Sequence, residues 1–202
     1  MSFFENTRKP VGFGGKLMVA MMNLGHSPVA RWGLRFLEPA PDAEVLDCGC
    51  GGGANIKRLL KKCPQGIVRG IDYSPVSVEK TKKVNRAAIA AGRCAVQQAS
   101  VAELPFEAGR FDAVTAFETV YFWPDLPNCF REVRRVLKSG GVFLICNESN
   151  GDTDKDEKWT EIIGGMTIYK DAELKAYLEQ ADFRDVQIYK NRFGWLCVTA
   201  RK

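Results

Sequence analysis

Residues 45–53 read Val-Leu-Asp-Cys-Gly-Cys-Gly-Gly-Gly. Val45 and Leu46 form the end of a buried strand, and Asp47 stands at its exit. Gly49, Gly51 and Gly53 follow in a turn that only glycine makes without steric cost, because it has no Cβ. Asn55 to Leu60 then open a helix. Strand, glycine turn and helix in direct succession form the unit from which open α/β sheets are built, and the ligand of such a sheet sits at that turn.

Working outward, apolar runs and breakers alternate. The expected order is strand 44–48, helix 53–63, strand 67–71, helix 75–91, strand 94–98, strand 111–117, helix 125–137 and strand 141–147. This alternation predicts a parallel sheet covered on both faces. Pro75 starts a helix, Gly92 ends one, and Ser139-Gly140-Gly141 precede a strand. A polar stretch, Asn150 to Lys158, comes next, then helix 171–181. Segments 184–190 and 194–201 flank Asn191-Arg192-Phe193-Gly194 and read as an antiparallel hairpin. Upstream, residues 1–15 read as irregular, and Lys16 to Leu24 and Pro28 to Leu37 as two short helices ended by Pro39 and Pro41.

A chain of 202 residues, 46% apolar, supports one α/β domain with a full core. The net charge of +5 is mild. Its basic residues, including Arg58, Lys61, Lys62, Arg131, Arg134 and Arg135, lie in helical stretches without interleaved aromatics. They read as solvated helix faces, not as a nucleic-acid surface. The seven cysteines are odd in number and lack paired spacing, so a disulfide framework is not expected. Cys48-Gly49-Cys50 sits in a turn that must stay open for a ligand, and no metal is expected there. Lys16 to Ala30 is too short an apolar run for a signal peptide, and no run reaches bilayer length. The expectation is a cytoplasmic, reduced protein with no membrane partner.

Two ligand classes use this geometry. Gly49, Gly51 and Ala54 fit the dinucleotide fingerprint, and Asp72, ending the next apolar segment, can accept hydrogen bonds from ribose hydroxyls. Asp47 separates the two: a carboxylate there repels a pyrophosphate but favours a ligand bearing an amine. S-adenosylmethionine is such a ligand, with a sulfonium, an ammonium, a ribose and an adenine. The pattern Asp-x-Gly-x-Gly-x-Gly resembles motif I of the class I methyltransferases. Leu104-Pro105-Phe106 before Phe111-Asp112-Ala113-Val114 resembles that family's entry into strand 4, and Val136 to Gly141 its turn into strand 5. The resemblance covers about residues 42–147.

The resemblance implies a mostly parallel, doubly wound seven-stranded sheet of order 3-2-1-4-5-7-6 with an antiparallel last strand. It implies one domain over 1–202: an N-terminal helical lid (1–41), a cofactor core (42–147), and a lid segment with the C-terminal hairpin (148–202). Gly49, Gly51 and Gly53 would let backbone approach the methionine part of S-adenosylmethionine, with Asp47 orienting it. Asp72 would hold the ribose and Tyr73 flank the adenine. Ser100 and Val101 occupy the adenine-edge position, where relatives often carry aspartate in place of Ser100. Phe117, Glu118 and Thr119 end strand 4 beside the expected methyl group.

Glu118 reads as a general base or as a helix cap. Tyr121, Phe122 and Trp123 either surround the methyl path or roof the next helix. Among the catalytic candidates, Tyr121 joins Glu118, and His26, the single histidine, reads as a base, a lid contact or a structural residue. Trp159, Met166 and Tyr169 read as the core of a lid or as acceptor contacts. Strand 4 ends in Phe-Glu-Thr, not the Asn/Asp-Pro-Pro-Tyr motif of nucleobase amino methyltransferases, and no Pro-Cys marks a cytosine enzyme. A small-molecule acceptor is therefore expected. Two rivals remain on sequence alone: a nicotinamide-dependent oxidoreductase, and a non-catalytic module that binds S-adenosylmethionine.

Overall fold

The computed structural model describes residues 25–152 and 154–202. The helix expected over 16–24 lies outside them. The strands are β1 (Glu44–Cys48), β2 (Ile67–Asp72), β3 (Cys94–Gln98), β4 (Phe111–Phe117), β5 (Leu137–Asn147), β6 (Arg184–Lys190) and β7 (Leu196–Arg201). They form one seven-stranded sheet of order β3-β2-β1-β4-β5-β7-β6. Pairing is parallel from β3 through β5, and β7 runs antiparallel to both β5 and β6. The terminal hairpin thus closes the sheet as its sequence predicted.

The helices are α1 (Ser27–Gly33), α2 (Ala54–Lys62), α3 (Pro75–Val84), α4 (Arg86–Ala90), α5 (Leu126–Val136), α6 (Asp154–Ile162) and α7 (Asp171–Gln180). Successive strand residues point to opposite faces, so Val45 and Leu46 feed two different cores. Val45 packs with Ile56, Leu59, Val68 and Leu144, and with Val29, Ala30 and Leu34 from the N-terminal stretch. Leu46 packs with Phe111, Val114, Phe130, Phe143, Leu174 and Leu178. Each fully buried side chain of this size contributes about 1.5–3 kcal/mol, so sheet and helices are held along both faces. No helix among the described residues is long and apolar enough to cross a membrane.

Three elements depart from the sequence reading. The helix expected over 75–91 breaks at Asn85, whose φ of −107° ends α3. Its side-chain amide donates to the carbonyls of Gly53 (3.0 Å) and Thr81 (3.1 Å), so a tie to the glycine turn replaces helix continuity. β5 begins at Leu137, not 141, with a register shift against β4 where Ser139-Gly140-Gly141 bulge out. The polar stretch from Asn150 carries helix α6, which its composition concealed.

Candidate functional site

A cavity of about 330 Å³ opens at the carboxyl ends of β1, β2 and β4. This is where an open α/β sheet places its ligand, because helix N-termini and strand-end loops converge there. The glycine turn forms one wall, Asp72, Tyr73, Ser100 and Val101 a second, and Phe117, Glu118, Phe122 and Trp123 a third. His26, Val29 and Ala30, from α1 and the turn before it, close the side facing the N-terminal stretch.

The motif's glycines do different work. All three have positive φ: 78°, 50° and 79° at Gly49, Gly51 and Gly53. A Cβ at Gly49 would meet Thr119 Cγ2 at 2.4 Å, and one at Gly53 would meet the Asn85 amide at 2.6 Å. A Cβ on Gly51 finds nothing nearer than 4.0 Å. Gly51 is thus the position where backbone faces open cavity. Gly53 does not line it; its neighbours are Asn85 and Thr81, so it lets α2 start close against α3.

Asp72 lines the cavity and also ties the turn together. Its Oδ2 accepts from the Gly51 N–H at 2.9 Å and its Oδ1 from the Ser74 N–H at 2.9 Å. Burial raises its pKa, and those two donors oppose the rise. Ser100 Oγ accepts from the Ala102 N–H at 3.2 Å, and Ser100 and Val101 both border the cavity as expected.

Asp47 does not reach the cavity wall; it lies behind the turn, 2% exposed. Its Oδ1 accepts from Thr115 Oγ1 at 2.7 Å, while Oδ2 has no hydrogen-bond partner among the described residues. A buried carboxylate oxygen without a donor is expensive. Burial accordingly pushes its pKa up to about 7, the Thr115 hydroxyl opposing the rise and the charge of Asp72 adding to it.

At the other end stands Glu118, in the left-handed region at φ 59°. Its Oε1 accepts from the Glu148 N–H. Burial, and then the charge of Glu148, raise its pKa well above the carboxylate range. The ligating atoms of His26, Glu118 and Glu148 lie within 4.8 Å of one another. Burial lowers the His26 pKa. Two carboxyl groups beside an imidazole can share a proton or receive a cation. Glu148 was not singled out from the sequence, although it directly follows β5, the strand beside β4.

Tyr121 is not at the wall. It is 3% exposed, and its hydroxyl donates to the Ser149 carbonyl (3.2 Å) and accepts from the Ser149 N–H (3.0 Å). It anchors the loop after β5 and also hydrogen-bonds the Glu118 side chain, which does border the cavity. Its neighbours Phe122 and Trp123 line the cavity directly. Trp159, Met166 and Tyr169 do not border the cavity. Arg58, read from sequence as a solvated helix residue, does border it.

The fold and this site define a class I S-adenosylmethionine-dependent methyltransferase domain: the sheet order, the terminal hairpin, the open Gly51 and the strand-end Asp72 coincide. Residues 46–145 match the family model described as a methyltransferase domain, and the chain belongs to that family. Cycloartenol-C-24-methyltransferase 1 of Oryza sativa subsp. japonica is 34% identical over 105 residues, 52% of this chain and 30% of the relative. Nocamycin O-methyltransferase of Saccharothrix syringae is 36% identical over 115 residues, 56% of this chain and 41% of the relative. The chain therefore spans less than half the length of each. A methyltransferase structure from Aquifex aeolicus, described as dependent on S-adenosylmethionine, superposes with a TM-score of 0.75 at 18% identity, covering 92% of this chain and 97% of that one.

Proposed function

We propose that this chain transfers the methyl group of S-adenosylmethionine to a small-molecule acceptor. The observation that carries this reading is the cavity wall formed by the open Gly51 and the strand-end Asp72, with the orphaned Oδ2 of Asp47 buried just behind that turn. An anion in that position suits an ammonium and repels a pyrophosphate. When bound, the cofactor supplies a sulfonium methyl open to in-line attack. Asp72 and Tyr73 hold the ribose and flank the adenine, with Ser100 and Val101 at the adenine edge. Phe117, Phe122 and Trp123 exclude water, and their ring faces suit a cationic centre.

Glu118 takes the acceptor's proton, with His26 beside it. Burial and the charge of Glu148 raise its pKa, and a cation entering the cavity draws that pKa back down, so the methyl donor favours the carboxylate that can take the proton. The stretch before β1, with His26, Val29 and Ala30, acts as the lid of a single domain. The two curated relatives are named for a carbon acceptor and an oxygen acceptor, and both names point to small molecules. The cytoplasm is the compartment that suits the chain, because its seven cysteines are all free and buried.

The test has two stages. S-adenosylhomocysteine raises the melting temperature, and NAD does not; the reverse result overturns the reading. Labelled methyl transfer to a panel of hydroxylated and unsaturated small molecules then identifies an acceptor. With it, Glu118→Gln lowers turnover about a hundredfold at saturating cofactor, the size that general-base catalysis supplies. Unchanged turnover removes Glu118 from the chemistry.

A further inference from the structure

Cys146 on β5 and Cys197 on β7 stand directly opposite one another in the antiparallel pairing of those strands, and both are buried. Opposite positions in such a pair hold Cα atoms about 4.5–5.5 Å apart, within the span of about 4.4–6.8 Å that a disulfide bridges. Among the described residues no other cysteines face each other across the sheet. Both side chains join the core that holds Val29, Ala30 and Leu34. Their sulfurs lie within hydrogen-bond distance of one another, and the Gly33 backbone bonds Cys146. The Cys146 thiol donates to the Val29 carbonyl at 3.5 Å, and the Cys197 thiol reaches the Gly33 carbonyl at 4.0 Å.

Helix α1 is seated on this pair. A Cβ at Gly33 would overlap the Cys146 sulfur and would lie 3.6 Å from the Phe117 ring. Phe117, Val29 and Ala30 all line the cavity, so the seat of α1 is also part of the cavity wall. The neighbouring thiol, and then burial, hold the Cys146 pKa well above the usual thiol range. A buried thiol of that kind is inert, and an oxidant reaches the pair only when α1 lifts. α1 has seven residues and no side-chain cap at its start. A short helix with so few ties opens locally at small cost.

We infer that Cys146 and Cys197 are a modification site, which a hydroperoxide converts to a reversible disulfide that unseats α1 from the cavity. One thiolate attacks a peroxide oxygen, the O–O bond breaks, and a sulfenic acid and one water form. The second sulfur attacks the sulfenic sulfur, the S–S bond forms, and the oxygen leaves as a second water. The two cysteines lose two hydrogens and two electrons, and hydrogen peroxide is reduced to two waters. The new bond removes both S–H donors from the α1 carbonyls and draws the sulfurs together, away from the positions on which Gly33 rests. Only the effect on cofactor binding rests on the S-adenosylmethionine reading above; the disulfide and the release of α1 do not.

The full chain, treated with hydrogen peroxide and then unfolded and alkylated, is mapped by peptide mass spectrometry. The expected product is a linked peptide pair holding Cys146 and Cys197, lighter by two hydrogens and separated by dithiothreitol. Trypsin reads α1 without any ligand: Arg31 on α1 is exposed, and cleavage after it becomes about tenfold faster in the oxidised chain. Calorimetry reads the cavity: S-adenosylhomocysteine binds the oxidised chain about tenfold more weakly, and bound beforehand it slows the cross-link. Cys146→Ala and Cys197→Ala each abolish the link and both responses, whereas Cys129→Ala keeps them. The linked peptide is read in the parent chain, so the test stands whether or not every variant folds. Absence of the Cys146–Cys197 link overturns the inference. So does a link that leaves cleavage after Arg31 unchanged, or one that leaves S-adenosylhomocysteine affinity unchanged in a chain that binds it. A chain that forms the link and frees Arg31, yet binds no S-adenosylhomocysteine in either state, upholds the modification site and refutes the cofactor reading instead.

Discussion

Replacing Asp47 by asparagine separates stability from binding. In the folded chain the carboxyl is 2% exposed, with one oxygen bonded to Thr115 and the other unpartnered. Its pKa rises from 3.8 to about 7. A folded pKa above the unfolded one means that the folded state binds more protons across that window, so stability falls as pH rises through it. At 1.36 kcal/mol per pH unit, the gap corresponds to about 4 kcal/mol by pH 8, of which about 3 kcal/mol is lost between pH 5 and pH 8. Asparagine does not ionise and carries no such slope. Its amide N–H group, placed where Oδ2 lacks a partner, costs about 1–3 kcal/mol at every pH. That term sets the level of the variant's curve and leaves its slope alone. Urea unfolding followed by far-UV circular dichroism at pH 5, 6, 7 and 8 reads both. The stability of Asp47→Asn minus that of the parent should climb by about 3 kcal/mol from pH 5 to pH 8. Taking the difference cancels the contributions of Glu118 and His26, whose shifts do not involve Asp47, while the loss of the charge beside Asp72 is part of what the difference reads. In the same variant at pH 8, S-adenosylhomocysteine should bind about tenfold more weakly or worse, because the ammonium loses its counter-charge. A difference curve flat to within about 0.5 kcal/mol would refute the buried, uncompensated carboxylate.

Further outcomes follow from the same geometry. Asp72→Asn should weaken S-adenosylhomocysteine about tenfold to a hundredfold by calorimetry and also lower the unfolding midpoint, since Asp72 holds the Gly51 and Ser74 N–H groups. Gly51→Ala should stay folded, at a cost of about 1–2 kcal/mol for its positive φ, and lose cofactor binding. Gly49→Ala should destabilise more, because its methyl group meets Thr119, and the double variant with Thr119→Ala should recover part of the loss. Tyr121→Phe should cost about 1–2 kcal/mol in urea unfolding, since its hydroxyl bonds Ser149, and should raise the pKa of Glu118 further in a pH titration, since the same hydroxyl hydrogen-bonds the Glu118 carboxyl.

The sheet was legible because each strand carries its own signal. Apolar runs of strand length, Pro75 and Gly92 as punctuation, and the hairpin around Asn191-Arg192-Phe193-Gly194 each act locally, and their sequence order sets the topology. Asn85 was illegible because its bonds reach the Gly53 carbonyl, far away in sequence. Nothing near residue 85 announces that tie. The wall of the cavity that Asp72, Ser100 and Val101 form was legible for the same reason as the strands: they sit at strand ends or just past them, where position alone predicts exposure to a cavity. Beyond β4 that logic fails. Residues 120–122 form a 3₁₀ turn, and its path decides that Phe122 faces the cavity while Tyr121 turns into the protein. Arg58 was hidden by its company. Lys61 and Lys62 share its helix, and a basic run reads as solvated surface. The signal that distinguishes it is its place on the second turn after a ligand-binding glycine motif, from which a long side chain reaches back to the helix start.

Two residues carry most of the local cost at this site, and they stand at its two ends. Asp47 is a buried carboxylate with an oxygen left bare. Glu118 adopts a left-handed backbone, which costs about 1–2 kcal/mol for a residue with a Cβ, and its carboxyl is crowded by Glu148. Neither arrangement helps the empty chain fold. On the reading proposed above, positive charge offsets the desolvation of both carboxyls: an ammonium on the far side of the glycine turn from Asp47, and a sulfonium in the cavity that Glu118 borders. The backbone strain at Glu118 remains. A dinucleotide would instead bring phosphates towards Asp47, and a neutral nucleoside would offset neither desolvation. Desolvated carboxyls at two separated points would then act as a charge template, and the spacing between cations on S-adenosylmethionine is the kind of pattern such a template selects.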